Sequence, residues 1–177
     1  YMVLGRWFES RMGRSLGSIF EHYGPLPPGM TETAAATGRC PRRGRPLKGE
    51  VHDINTWAMG GTAGHAGLFG SAEEVGQWAL TLVRLADGRS PISSGTTLDG
   101  GVVRAFWDLA NKRGSAAEDT WVLGWDTPSM GYTSAGKRAS RTAVGHLGFT
   151  GTSVWIDREQ ALVMVLLTNR VAVETQA

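Results

Sequence analysis

The chain is poor in cysteine and in excess charge, and it has no long apolar run. Its 177 residues include one cysteine, Cys40, which excludes an intramolecular disulfide and any zinc or iron–sulfur centre built on several cysteines. The 18 lysines and arginines exceed the 16 aspartates and glutamates by only two, so charge alone does not indicate a nucleic-acid-binding surface. No apolar run approaches the ~20 residues that span a bilayer, and we predict no membrane span within these residues.

Glycine and tryptophan are abundant instead. The 25 glycines are about twice the average usage, and 7 tryptophans are many for a chain of this size. Glycine permits tight turns and close approach of the backbone to a ligand, so this composition favours a globular domain with a cleft. The apolar run that starts at Tyr1 has the pattern of the middle of a helix, and we expect the chain to be the C-terminal part of a longer domain.

Apolar periodicity predicts four helices, over residues 1–12, 16–20, 71–86 and 101–110. Ser71 and Glu74 have the spacing of a capping box, which marks the start of the third helix. Residues 38–49 carry basic side chains and no acid, and we interpret them as a solvated basic loop because no aromatic residues are interleaved for base stacking. We therefore predict no nucleic-acid partner.

Apolar and β-branched runs predict strands over residues 121–125, 143–148, 152–156 and 161–167. The last two are joined by a short turn and form a hairpin. Short connections require antiparallel pairing, because a parallel pair needs a crossover of about a dozen or more residues. The predicted fold class is α+β, an incomplete antiparallel sheet flanked by helices, with residues 1–115 mainly helix and loop and residues 116–177 mainly antiparallel strands.

The segment over residues 145–157 carries the most specific chemistry. It places the titratable His146 at the end of a strand, with Gly148 two residues further on and a run of backbone amides before the hairpin. Amides at a sheet edge beside a cleft can form an oxyanion hole. From the residues alone, such a cleft and a glycine-rich turn with a surface histidine are equally good interpretations.

Two parts of the chain resemble a known superfamily. Residues 145–152 read Gly-His-Leu-Gly-Phe-Thr-Gly-Thr, and with Leu-Leu-Thr-Asn-Arg at 166–170 they are similar to the third-motif hairpin and closing strand of the serine β-lactamase and penicillin-binding-protein superfamily. The similarity is to its class C-like branch, with its esterases and D-aminopeptidases. Residues 51–55 and the glycine-rich stretch 60–75 resemble the same branch. The resemblance implies a β-lactamase/transpeptidase-like fold, with residues 1–177 as the C-terminal part of a single domain.

The resemblance also implies a serine hydrolase that cleaves an amide, lactam or ester bond through an acyl-enzyme. By position, His146 would supply positive potential or a hydrogen bond near a substrate carboxylate. Gly148 would allow close approach of the ligand, and the amide of Phe149 would be one oxyanion donor. The remaining predicted site residues are substrate-binding: Leu147, Thr150 and His65.

The chain departs from the pattern of that superfamily. Leu147 stands where a threonine is usual, which removes a hydroxyl that binds a carboxylate and favours an esterase or peptidase over β-lactam recognition. The Ser-x-x-Lys and Tyr-x-Asn motifs are expected upstream of Tyr1, so the nucleophile would lie outside the chain, which alone would be inactive. The alternative is a non-catalytic binding or structural remnant of the fold.

The resemblance further implies a small-molecule or peptidoglycan-like substrate, no cofactor, and a bacterial cell-envelope or secreted location.

Other candidate residues have simpler interpretations. His52, Asp53 and His65 could ligate a metal, but their spacing matches no helix-borne ligand set. We predict no metal site there, and hydrogen bonds that line a cleft or pin a loop instead. Cys40 is predicted to be a free surface thiol.

Overall fold

The computed structural model describes residues 1–23, 34–92, 98–114, 120–121, 123–129 and 132–171. Both helices and antiparallel sheets are present, which confirms the α+β class. In chain order the elements are α1 (Met2–Met12), α2 (Leu16–Tyr23), β1 (Ala36–Cys40), β2 (Arg45–Lys48), α3 (Ile54–Ala58), α4 (Ala72–Ala86), α5 (Gly100–Gly114), β3 (Val144–Leu147), β4 (Ser153–Asp157) and β5 (Leu162–Leu166). The chain divides into two compact units, a first of Tyr1–Glu74 with Asn169–Ala177, and a second of Val75–Thr168.

Helices α1, α2, α4 and α5 form where apolar periodicity predicts them. The start of α4 is the predicted capping box. The backbone N–H of Ser71 donates to Glu74 Oε2 at 2.7 Å, and the N–H of Glu74 donates to Ser71 Oγ at 3.2 Å. This exchange pairs backbone donors that the beginning of a helix otherwise leaves unpaired. In the described part of the chain, no helix is long and apolar enough to cross a membrane.

The apolar side chains of α1 are exposed, although the helix itself is as predicted. Val3 is 85% exposed and Trp7 54%, whereas Gly5 is buried. A Cβ at residue 5 would lie 2.7 Å from Leu16 Cδ1 and 3.3 Å from the backbone nitrogen of Gly64. The missing side chain therefore lets α1 approach its neighbours closely.

The prediction of a loop over residues 38–49 is wrong, because β1 and β2 pair there as an antiparallel hairpin. Cys40 pairs with Arg45 across a turn that contains Gly44, whose φ of 67° lies in the left-handed region. The side chain of Leu47 is fully buried in this hairpin. Basic residues and a proline conceal the period-two alternation that identifies a strand.

The predicted strand over residues 121–125 is also wrong. Leu123 has a φ of 52°, so the chain turns there instead of extending, and Val122 lies outside the described residues. A bridge to the sheet follows, in which the N–H of Asp126 donates to the carbonyl of Gly145 at 2.8 Å. The short helix α3 was not predicted, since five residues are too few to show a helical period.

In the second unit, α4 and α5 pack on a sheet of strand order β3-β4-β5 in which both pairs are antiparallel. The predicted β4–β5 hairpin is therefore confirmed. The core consists of buried apolar side chains: Ala79, Leu82, Ala86, Trp107, Ala110, Val144 and Ile156. Apolar burial is the dominant favourable term in folding, so this cluster stabilises the strands that carry His146.

On the opposite face of the sheet, the ring of Trp155 packs against the backbone of Gly145. The two residues are directly opposite each other in the ladder, and Trp155 is only 2% exposed. A Cβ at residue 145 would lie 2.4 Å from ring atoms of Trp155, which is far inside van der Waals contact. Because glycine has no side chain, the indole of Trp155 can occupy this space.

The turn between β4 and β5 is held by the buried carboxylate of Asp157. It accepts hydrogen bonds from the N–H of Ser140 at 2.8 Å, from the N–H of Gln160 at 3.1 Å and from Gln160 Nε2 at 2.7 Å. Burial alone would raise the pKa of Asp157, but these hydrogen bonds outweigh it and lower the pKa below its ordinary value. The ionised carboxylate of Asp157 thus stabilises the turn of the β4–β5 hairpin.

We expect Gly145→Ala to destabilise the protein by about 1–3 kcal/mol, because the added methyl must displace the Trp155 ring or the strand. Gly76→Ala in α4 is the matched control. Its Cβ would meet one neighbouring atom, Val165 Cγ2, at 4.0 Å, and alanine favours a helix, so stability should stay equal or rise. Urea unfolding measures both changes, and equal midpoints for the two variants would contradict the packing argument.

Candidate functional site

His146 lies on β3, next to the last residue of the strand, and is half-buried. Its Nδ1 is 2.9 Å from the carbonyl oxygen of Leu147. Because a carbonyl oxygen only accepts, Nδ1 carries the proton, and Nε2 of the neutral ring remains an acceptor. The ring of Trp121 packs edge-to-face against the imidazole, with centroids 4.8 Å apart. The hydrogen bond and the ring contact together orient the histidine.

The turn between β3 and β4 is closed by its own hydrogen bonds. The N–H of Gly148 donates to the carbonyl of Thr152 at 2.8 Å, and the N–H of Gly151 donates to the carbonyl of Gly148 at 3.0 Å. Thr168 Oγ1 donates to the carbonyl of Thr150 at 3.1 Å. A Cβ at residue 148 would lie 2.1 Å from Thr152 Oγ1, so a larger residue there would force the Thr152 side chain to move. The prediction that Gly148 allows close approach of a ligand remains a prediction.

The same turn exposes apolar surface. Leu147 is 40% exposed and Phe149 is 70% exposed. Five of the predicted site residues, His146 to Thr150, therefore form one continuous stretch at the end of the sheet, with the imidazole beside apolar groups. The sixth, His65, belongs to the first unit. The roles assigned to these residues in catalysis and substrate binding remain predictions.

His65 pins a glycine-rich loop of the first unit. Its Nε2 lies 3.0 Å from Asp53 Oδ1 and 3.1 Å from Thr56 Oγ1. The carboxylate only accepts, so Nε2 of His65 carries the proton. The same carboxylate caps α3 by accepting the N–H of Thr56 at 2.7 Å. One carboxylate thus joins the start of a helix to the loop that follows it.

The electrostatics of Asp53 follow from these contacts. Burial alone would raise its pKa, but the hydrogen bonds from Thr56 and His65 outweigh it and lower the pKa below the ordinary value. Among the described residues, no group of three or more His, Cys, Asp and Glu side chains is placed to hold a metal ion. The hydrogen bonds of His65 to Asp53 and Thr56 are of the kind predicted to hold this loop in place.

The prediction of a surface thiol at Cys40 is wrong, since the residue is 3% exposed within β1. Arg43 Nε donates to Cys40 Sγ at 3.2 Å, and this hydrogen bond lowers the pKa of the thiol. The same arginine donates to the carbonyls of Val51 at 2.8 Å and His52 at 3.2 Å. Arg43 therefore stabilises both the hairpin and the loop that follows it. The prediction of a solvated basic loop did not include these contacts.

One Ser-x-x-Lys spacing does occur in the chain, at Ser134 and Lys137, and the sequence prediction overlooked it. A helix brings side chains at i and i+3 onto one face. Here both residues are exposed and lie in turns, and Gly136 between them has a φ of 88°. The helical arrangement of serine and lysine is therefore absent at this position, and a nucleophile outside the chain remains a prediction.

The beta-lactamase family model matches residues 1–176. The chain belongs to the beta-lactamase family, which confirms the superfamily indicated by residues 145–152 and by the glycine-rich stretch.

Curated relatives match almost the whole chain, and two of them show what kind they are. The N-acetylmuramyl-L-alanine amidase of Bacillus subtilis (strain 168) is 30% identical over 198 residues, which cover 96% of this chain and 43% of the relative. A Salmonella agona (strain SL483) protein named "Putative D-alanyl-D-alanine carboxypeptidase" is 30% identical over 192 residues, covering 96% of this chain and 40% of the relative. The chain spans about two fifths of the length of these relatives. No solved structure matches the chain significantly.

We expect Asp53→Ala to cost about 0.5–2 kcal/mol through loss of the N-cap of α3, and Asp53→Asn to cost less because asparagine also caps helices. The lowered pKa sets the sign of the pH effect. Ionised Asp53 contributes stability that is complete above its unfolded pKa, near 3.8, and is lost as the pH falls through the lower folded value.

The difference in stability between the parent protein and Asp53→Asn should therefore shrink as the pH falls below 3.8. Chemical unfolding of the parent and both variants at pH 7 and at pH 3 measures it. A difference that is the same at both pH values would contradict a role for the charge, and equal costs for alanine and asparagine would contradict the cap.

Proposed function

We propose that the chain is part of a serine hydrolase that cleaves an amide, lactam or ester bond through an acyl-enzyme. The observation that carries this proposal is the half-buried His146, oriented by Leu147 and Trp121 beside an exposed glycine-rich turn. Membership of the beta-lactamase family supports it, as do the amidase and carboxypeptidase relatives.

In the proposed reaction, a serine oxygen bonds to the substrate carbonyl carbon, and the serine proton passes to the departing amine or alcohol. Water then attacks the acyl-enzyme, releases the acid and restores the serine. Neutral His146 accepts a hydrogen bond at Nε2, whereas the protonated ring donates from both nitrogens and attracts a substrate carboxylate. The amide of Phe149 is assigned as an oxyanion donor by its position in the motif.

For the substrate, we infer an amide derived from peptidoglycan. The names of the relatives refer to a muramyl-L-alanine bond and a D-alanyl-D-alanine peptide, which support this class of substrate. Leu147 offers no hydroxyl to a carboxylate, and with Phe149 it offers exposed apolar contact instead. Both features favour a peptide or ester over a β-lactam. A peptidoglycan substrate would place the protein in the bacterial cell envelope.

We expect His146→Ala in the full-length protein to lower kcat/KM for N-acetylmuramyl-L-alanine about 100-fold, because losing a hydrogen bond to the charged substrate carboxylate costs about 1.5–3 kcal/mol. His22→Ala is the control, since His22 is exposed in the last turn of α2. It should leave kcat/KM unchanged, and circular dichroism checks that both variants fold. Equal activity of the two variants would remove His146 from the mechanism.

The alternative, a non-catalytic remnant of the fold, is favoured by the exposed, non-helical setting of Ser134 and Lys137. A fluorophosphonate probe separates the two proposals because it labels an activated serine. For a hydrolase we expect label on a helix-borne Ser-x-x-Lys of the full-length protein, equal label on Ser134→Ala, and none on residues 1–177 alone. A full-length protein that takes no label and turns over neither amides nor p-nitrophenyl acetate would be the remnant.

A further inference from the structure

A pocket of about 420 Å³ lies in the first unit, between α2, α3 and the loops around them. This volume is within the roughly 300–1,000 Å³ that small-molecule sites occupy. Its lining includes Ser18, Glu21, Glu50, Trp57, Gly60 and Thr62. We propose that this α2–α3 pocket binds a neutral saccharide. The proposal stands independently of the proposed hydrolysis, because it concerns binding by residues that the reaction does not use.

Trp57 provides an aromatic surface in the α2–α3 pocket. It is 43% exposed, and the guanidinium of Arg43 lies over its ring at 5.3 Å from the centroid. Arg43 is in turn held by the carbonyl of Val51 at 2.8 Å, so the indole is backed by a fixed group on one side. The C–H bonds of a pyranose ring form an apolar, weakly positive face, which complements the electron-rich face of an indole.

Groups that bind hydroxyls surround this aromatic surface. The carboxylate of Glu21 accepts hydrogen bonds, and the hydroxyls of Ser18 and Thr62 both donate and accept. Gly60 and Gly61 also line the pocket, and no atom lies within 4 Å of a Cβ built on either. A hydroxyl-rich ligand can therefore reach the backbone itself at these glycines.

The charges around the pocket favour a neutral ligand. Glu50 pairs with Arg45 at 2.6 Å and lies 3.7 Å from Arg43, while Glu21 has no ion-pair partner among the described residues. The charged residues of the lining are Glu21 and Glu50, whereas the guanidinium groups of Arg43 and Arg45 lie at Glu50 outside the lining. Counted together, these two carboxylates and two guanidinium groups carry no net charge, so they offer no net attraction to a phosphate or to an amine. None of the lining residues belongs to a strand, so an extended peptide would find no sheet edge to join.

Calorimetric titration of the full-length protein with the N-acetylglucosamine trimer tests the proposal. We expect saturable binding that Trp57→Ala weakens about 10-fold, and Trp57→Phe less because a ring remains. Glu21→Gln should weaken binding about 3-fold, since it replaces a charged acceptor on an exposed helical position. Trp57→Phe and Glu21→Gln keep the proposal testable if Trp57→Ala fails to fold.

The matched control is Trp7→Ala, which removes an exposed tryptophan of α1 outside the pocket lining and should leave affinity unchanged. No binding by the parent, equal affinity of Trp57→Ala and the parent, or an equal loss in Trp7→Ala would overturn the saccharide site. Tighter binding of the cationic glucosamine trimer or of trialanine would also overturn it, since the ligand would then be an amine or a peptide. The readout is binding, so it is separate from any failure of the serine chemistry.

Discussion

The contact between Trp155 and the backbone of Gly145 is the constraint on which the sheet of the second unit depends. The two residues face each other in the ladder, and the space that a Cβ would take is filled by the indole. Their pairing sets His146 opposite Val154. Because side chains alternate along a strand, a shift of one residue would send the histidine to the other face, away from Trp121. The position of His146, the candidate catalytic group, therefore depends on the lack of a side chain at Gly145.

Two carboxylates stabilise the β4–β5 turn and the loop around α3. Asp157 accepts backbone N–H groups of Ser140 and Gln160 at the β4–β5 turn, and Asp53 accepts the N–H of Thr56 together with His65. Both carboxylates have lowered pKa values for the same reason, because hydrogen bonds to the charged form outweigh the cost of burial. Backbone donors that neither helix nor strand would pair are satisfied in this way.

Local patterns predicted the elements whose hydrogen bonds stay close in sequence. The capping box of Ser71 and Glu74 and the β4–β5 hairpin are such cases, and the four periodic helices also formed. The β1–β2 hairpin was not predictable in this way, since Leu47 is buried among basic residues that do not alternate with apolar ones. The predicted strand at 121–125 failed for the opposite reason. Its composition suits a strand, but Leu123 adopts a left-handed conformation that no local preference indicates.

By itself, the sequence determined the four periodic helices, the antiparallel β4–β5 hairpin and the motif that marks the beta-lactamase family, because all three depend on composition and spacing along the chain. Only the tertiary structure decided how the chemical groups are held. His146 is oriented by Trp121, His65 by Asp53 and the indole of Trp57 by Arg43, and each pair is distant in sequence. Such contacts depend on separations of a few ångströms that residue spacing does not encode, so they exist only once the chain has folded.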